Sequence, residues 1–146
     1  MRKRGIYSVS VDIKVPFFDV DMMHVVWHGH YVKYLEEARC VLLESINYGY
    51  EAMRDSGYSW PIIDLQLRYM HPAAFGQALT VRAELVEWEN RLKIHYLIQD
   101  AKTGTRLTRA SSVQVAVSIA SRTMQLSSPD CLLQAVARID PSRATE

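Results

Sequence analysis

Cysteine is nearly absent from this chain. Only Cys40 and Cys131 occur, and they form neither a CxxC pair nor the spacing of a disulfide framework or zinc site. Buried free thiols are the simplest expectation, and they point to the cytoplasm. Long apolar runs are missing too: nothing approaches the roughly 20 residues that a membrane-spanning helix needs. The opening MRKRGIYSVSVDIKV is basic but lacks the apolar run of a signal peptide. No sign of charge dominates, with 17 Lys and Arg against 16 Asp and Glu. That balance removes any global attraction to nucleic acid, although a local patch stays open. There is no glycine-rich phosphate motif, internal repeat, low-complexity tract or linker.

What remains is an ordinary globular composition, 49% hydrophobic and 23% charged over 146 residues, which fits one domain, 1–146, with a real core. Residues 8–18 alternate early: Val9, Val11, Ile13 and Val15 share one face, with Ser10, Asp12 and Lys14 on the other. That is a half-buried strand, ended or bent by Pro16. Residues 19–27 read as a loop. From His28 or Gly29 the period becomes helical, with Tyr31, Tyr34, Leu35, Ala38, Leu42, Ser45 and Ile46 on one stripe. Val32, Val41 and Leu43 widen that stripe, so the helix is expected to be largely enclosed. A second short helical piece is expected around Tyr50 to Arg54. Strands are predicted over 58–71, 78–88, 92–100 and 105–119, the last three joined by short turns into an antiparallel meander. Residues 122–126 are expected to add a short strand. Residues 128–139 read as a helix with Ser128 as its cap and Pro129 in its first turn. One antiparallel sheet must then cover one apolar helix, an α+β layer architecture. Its free edges favour pairing between subunits.

The chemistry concentrates in DVDMMHVVWHGHYVKYLEEAR, residues 19–39. Asp19, Asp21, His24, His28 and His30 fall within twelve positions, where loop gives way to helix. Three readings fit the residues alone: a catalytic loop, a metal site, or a polar helix entrance with capping groups. The metal reading is weak, because the Asp-first order matches no strong ligand motif and His28 and His30 would sit on different helix faces. Glu36, Glu37 and Arg39 form a charged helix face, either solvated or at an interface. Tyr31 and Tyr34 read as core or pocket lining. Met53, Trp60, Tyr69 and Met70 read as core or as the lining of an apolar channel.

This stretch, with the order strand, loop, helix, meander, resembles the hotdog fold, a curled antiparallel sheet wrapped around a long central helix. Its motif is similar to the small acyl-CoA thioesterases of the 4-hydroxybenzoyl-CoA thioesterase superfamily, nearest in pattern to the Tol-Pal-associated branch. The matching residues are Asp21, then Val25-Val26-Trp27-His28, Tyr31 and Glu36-Glu37-Ala38-Arg39. The likeness covers nearly the whole chain in element order and is specific over residues 17–39. The family places small residues, often glycine, just after the aspartate. This chain has Met22, Met23 and His24 there, which would narrow the acyl pocket or re-route the loop.

The resemblance implies Asp21 and His28 as catalytic residues, with Asp19 as the rival carboxylate. It also implies Val26, Trp27, Gly29 and Tyr31 as substrate-binding residues. Thioester hydrolysis needs an activated nucleophile and stabilisation of the carbonyl oxygen. Asp21 would attack the carbonyl or deprotonate a water, and backbone N–H groups near Gly29 would polarise the oxygen. His28 would orient the thioester or fix Asp21. His24 and His30 are expected at the surface or behind the site. No metal and no separate cofactor are expected, coenzyme A being part of the substrate. Its phosphates would meet scattered basic residues such as Arg68, Arg82 or Arg106. The expected partners are an acyl-CoA or acyl carrier protein thioester and further copies of the chain, as a homodimer or tetramer, without nucleic acid or membrane span. Two other functions stay open on the same fold: an acyl-thioester hydratase or dehydratase, and a non-catalytic acyl-thioester-binding module.

Overall fold

The computed structural model describes residues 5–139, so the first four residues of the basic opening and residues 140–146 lie outside it. β1 (Tyr7–Lys14) runs to Pro16, which is extended and leads into a 3-10 turn at Phe17–Asp19. The central helix α1 (Tyr31–Ser45) follows, then the short α2 (Tyr50–Asp55). The predicted strand 58–71 is split by Pro61 into β2 (Tyr58–Ser59) and β3 (Ile62–Tyr69), because proline cannot donate to a ladder. β4 (Ala78–Glu87), β5 (Leu92–Asp100) and β6 (Arg106–Gln114) form the expected meander. The two-residue β7 (Val117–Ser118) pairs with β2, and α3 (Asp130–Ala137) follows.

The main sheet has five strands in the order β1-β4-β5-β6-β3, every pairing antiparallel. Strand alternation sends Leu79, Val81, Ala83 and Leu85 of β4 inward, with Leu92, Ile94, Tyr96 and Ile98 of β5. α1 lies against this face, chiefly over β1 and β4. It buries Leu35, Ala38, Leu42 and Leu43 completely. The sheet curled round one helix is the hotdog arrangement that the resemblance implied.

Four expectations change. α1 begins at Tyr31 rather than at His28 or Gly29, since residues 28–30 form a turn in which the His30 N–H bonds the Trp27 carbonyl. Residues 122–126 give only an isolated bridge, Val117 to Met124, because Arg122 adopts φ 57° and breaks the extended path. Ser128 does not cap α3: Pro129 holds the cap position, and the Ser128 N–H bonds the Glu89 carbonyl. Arg39 is not on a charged surface. It is 7% exposed and reaches inward to the hydroxyls of Tyr50, at 3.2 Å, and Tyr96, at 3.4 Å.

Candidate active site at the mouth of the central helix

The site is assembled by a small hairpin between β1 and α1. Val20 and Val26 form a bridge, and the Asp21 N–H donates to the Val25 carbonyl at 2.8 Å. The His24 N–H closes the turn onto the Asp21 carbonyl at 3.0 Å. His24 itself takes φ 63°, the left-handed region that favours glycine. A neighbouring segment pins the hairpin: the Val26 N–H donates to the Ala73 carbonyl at 2.8 Å, and Phe75 N–H to the His24 carbonyl at 3.1 Å. Asp21 is thus held at a fixed backbone position although its side chain is exposed. Its Oδ1 accepts the Met23 N–H at 2.8 Å. Oδ2 has no hydrogen-bond partner among the described residues. Met22 and Met23 are 95% and 78% exposed, so within one chain they narrow no interior pocket.

Asp19 occupies a different environment, at 2% exposure. Its carboxylate accepts the Tyr34 hydroxyl at 2.7 Å and the Lys33 ammonium, and His30 Nδ1 stands 4.0 Å away. Burial works against its charge, but the bonds from Lys33 and Tyr34 outweigh burial and hold the carboxyl below its ordinary range. Its backbone carbonyl also accepts the Trp27 N–H at 3.0 Å. Asp19 therefore fastens the hairpin to the first turn of α1, and both of its carboxylate oxygens have a partner.

The turn 27–30 forms the mouth. The Trp27 ring lies over Gly29 so closely that a Cβ there would come within 2.2 Å of it. The same ring contacts His28 at 4.8 Å and His30 at 5.1 Å between centroids. Gly29 makes room for Trp27 here, a more specific role than ligand approach. Among the described residues the N–H groups of His28 and Gly29 have no backbone acceptor. The His28 carbonyl accepts the Tyr69 hydroxyl at 2.6 Å, which links the mouth to the edge strand β3. Tyr69 also packs its ring edge-on to Tyr31 at 5.2 Å.

Tyr31 is buried, and its hydroxyl accepts the Ala73 N–H at 3.1 Å. Burial first pushes this phenol up, and the charge of Asp21 adds to the push. Val26 packs in the core at 4% exposure, and it meets the site through its backbone. Met53 and Trp60 are core residues, whereas Tyr69 and Met70 are exposed at β3. His24 and His28 are exposed. Among the described residues no group of three or more His, Cys, Asp or Glu side chains converges as a ligand set.

Sequence reasoning did not foresee the Tyr69–His28 and Tyr31–Ala73 bonds. Both join residues about 40 positions apart, and only the position of β3 beside the mouth reveals them. Clefts lie between α1 and α3, beside Glu36, Glu37 and Cys40 of α1, and on the outer face of the sheet. None of these three is lined by Asp21 or His28, and both of those side chains are exposed to solvent in the single chain.

Comparison with known proteins converges on one group. The family model of the thioesterase-like superfamily matches residues 15–142. The protein of Bacillus subtilis (strain 168) named "Putative acyl-CoA thioesterase YneP" is 25% identical over 77 residues, 53% of this chain and 56% of the relative. The chain spans about half the length of the curated relatives it matches. Among solved structures, a 1,4-dihydroxy-2-naphthoyl-CoA thioesterase from Synechocystis superposes with TM-score 0.81 at 21% identity, covering 91% of this chain and 98% of that one. A hypothetical protein from Thermus thermophilus gives TM-score 0.78 at 27% identity, covering 90% and 98%. Among the described residues no helix is long and apolar enough to cross a membrane.

Proposed function

Because the chain belongs to the thioesterase-like superfamily, we propose that it hydrolyses an acyl or aroyl thioester of coenzyme A or of an acyl carrier protein, with Asp21 as the reacting carboxylate. The observation that carries this reading is the pairing of two features at one helix mouth. A backbone-anchored carboxylate has one oxygen without a partner, and an adjacent turn leaves the His28 and Gly29 N–H groups without backbone acceptors.

Those N–H groups are suited to polarise a thioester oxygen, supported by the positive end of α1. Asp21 Oδ2 then has two routes. It attacks the carbonyl carbon, the C–S bond breaks and thiolate leaves, and water cleaves the resulting mixed anhydride. Alternatively it takes a proton from water, which attacks directly. In this reading His28 orients the acyl group. Neither route calls for a metal or a cofactor beyond the coenzyme carried by the substrate.

Exposure of Asp21 and His28 favours water over substrate, so a second surface is needed to cover them. β3 offers one. It is an edge strand with Ile63 57%, Leu65 38% and Tyr69 48% exposed, and Tyr69 touches the mouth directly. Pairing of β3 with a second copy would satisfy that edge and wall the site, which supports a homodimer, or a tetramer built from dimers. Two unpaired cysteines fit a reducing compartment such as the cytoplasm.

A thiol-release assay over acyl-CoAs of varied length, with one aroyl-CoA, tests the reaction. We expect release from at least one substrate, and a fall of about a hundredfold for Asp21→Asn, which keeps the size and removes the charge. An Asp21→Asn variant as active as the wild type, or light scattering that shows a fully active monomer, would overturn the corresponding part.

A further inference from the structure

The outer face of the sheet, away from α1, gathers basic residues into one cleft, among them Arg68, Arg82 and Arg106, which the sequence left as scattered candidates for phosphate contacts. Antiparallel register sets Arg68 of β3 directly opposite Arg109 of β6, Arg109 opposite Leu97 of β5, and Leu97 opposite Arg82 of β4. Beyond a register shift between Ile98 and Gln99, Arg106 of β6 sits opposite Gln99 of β5. Together with Gln66, His95 and Ser111 these side chains line a cleft of about 620 Å³. It holds four guanidinium groups and a single carboxylate, Glu84.

That carboxylate is already taken. Glu84 lies 2.9 Å from Arg82, which also donates to Ser8. Arg68, Arg106 and Arg109 have no carboxylate partner among the described residues. Like charges directly opposite on neighbouring strands are destabilising, so the Arg68–Arg109 pair weakens the sheet unless an anion neutralises it. Two guanidinium forks side by side suit a tetrahedral oxyanion, which each can grip with two parallel hydrogen bonds. Half-buried Leu97 provides an apolar floor between the arginines, and burial pushes the His95 imidazole toward its neutral form.

We propose that this cleft is a binding site for a small molecule carrying two or more phosphate groups, of the nucleoside bisphosphate or diphosphate class. The cleft volume lies within the range of small-molecule sites, roughly 300–1,000 Å³, which disfavours a nucleic acid or protein surface as occupant. A second copy of the same face is disfavoured as well, since it would oppose arginines to arginines. The site is separate from the mouth: Arg68 and Tyr69 are consecutive residues whose side chains leave β3 on opposite faces. The inference does not depend on the role given to Asp21.

Isothermal titration of the full chain with inorganic pyrophosphate, ADP and adenosine 3′,5′-bisphosphate tests it without turnover. At about 50 mM salt, where exposed charges are only partly screened, at least one probe should bind saturably with Kd below about 1 mM. The Arg68→Gln/Arg109→Gln variant should bind at least about tenfold more weakly, and Arg68→Lys, which keeps charge and loses the fork, should fall between. Both arginines are exposed, so the variants should fold, and an undiminished melting temperature confirms it. Displacement of the bound bisphosphate by coenzyme A would identify the occupant as the nucleotide end of the substrate. Retention against coenzyme A would identify a free nucleotide acting as an effector. No saturation by any probe, equal binding by the double variant, or equal competition by sulfate would overturn the proposal. Asp21→Asn should bind the probes as the wild type does, so failure of the hydrolysis reading and failure of this one are distinguishable.

Discussion

Replacing Asp19 separates the two carboxylates of the hairpin by what each does. In Asp19→Ala the Tyr34 hydroxyl loses its acceptor in a site that is almost fully buried. A hydrogen bond to a charged group contributes about 1.5–3 kcal/mol, and the orphaned hydroxyl cannot recover it from water. The Lys33 side chain is 50% exposed, so its ion pair adds no more than about 1 kcal/mol. The expected loss is therefore about 1.5–4 kcal/mol. Asp19→Asn keeps the shape and one acceptor oxygen for Tyr34, so its loss should be nearer 1 kcal/mol. Urea unfolding at one fixed protein concentration measures both, with the slope unchanged from wild type. Thiol release supplies the contrast: Asp19→Asn should stay within about threefold of wild type, because the bond that holds the mouth uses the Asp19 backbone carbonyl, which the substitution leaves in place. A hundredfold fall in rate for Asp19→Asn, with stability within about 0.5 kcal/mol of wild type, would reverse the assignment of the two carboxylates.

Acid should reveal Asp19 as well. Its folded carboxyl is held below the ordinary value of 3.8, so its contribution is complete above that pH and disappears as pH falls through the lowered folded value. Denaturant titrations from pH 5 down to about 2 should show a stability loss that is smaller in Asp19→Asn; identical profiles would refute the linkage. Tyr69→Phe removes the bond to the His28 carbonyl, an interaction of about 0.5–1.5 kcal/mol, and should lower kcat/KM about two- to tenfold in steady-state kinetics. An unchanged kcat/KM would show that the mouth turn is held without it.

Much of the fold was legible because two periods dominate the chain. The inward set Leu79, Val81, Ala83, Leu85 alternates at two, and the stripe Tyr31, Leu35, Ala38, Leu42 recurs at the helical spacing. Both are satisfied in the folded chain with almost no exposure. What failed was local. The start of α1 was set early because apolar periodicity does not register that Trp27 folds over Gly29 and turns the backbone. Arg39 was read as surface because charge is normally solvated, whereas here two tyrosine hydroxyls from α2 and β5 receive it inside. At the site, the residues alone left three readings open, and only the family resemblance singled out Asp21. The physical difference between Asp19 and Asp21 stayed open, since that difference is one of burial, set by Lys33 and Tyr34 a helical turn beyond. Arg109 was overlooked because the register of β6 against β3, which no short-range pattern encodes, is what places it beside Arg68.

The two faces of β3 should influence one another. If β3 pairs with its copy, Tyr69 is clamped near the mouth on the inner face, and two outer clefts join one continuous sheet. That pairing doubles the number of guanidinium groups on a single face, and their repulsion opposes association. A bound polyphosphate removes part of that repulsion, so the ligand must favour the paired form, and pairing must favour the ligand by the same factor. Analytical ultracentrifugation at about 50 mM salt should therefore show association tightened severalfold by pyrophosphate in the wild type and unaffected in Arg68→Gln/Arg109→Gln, which should already associate more tightly without ligand. Association indifferent to pyrophosphate in a chain that demonstrably binds it would mean that the cleft and the strand edge are energetically independent.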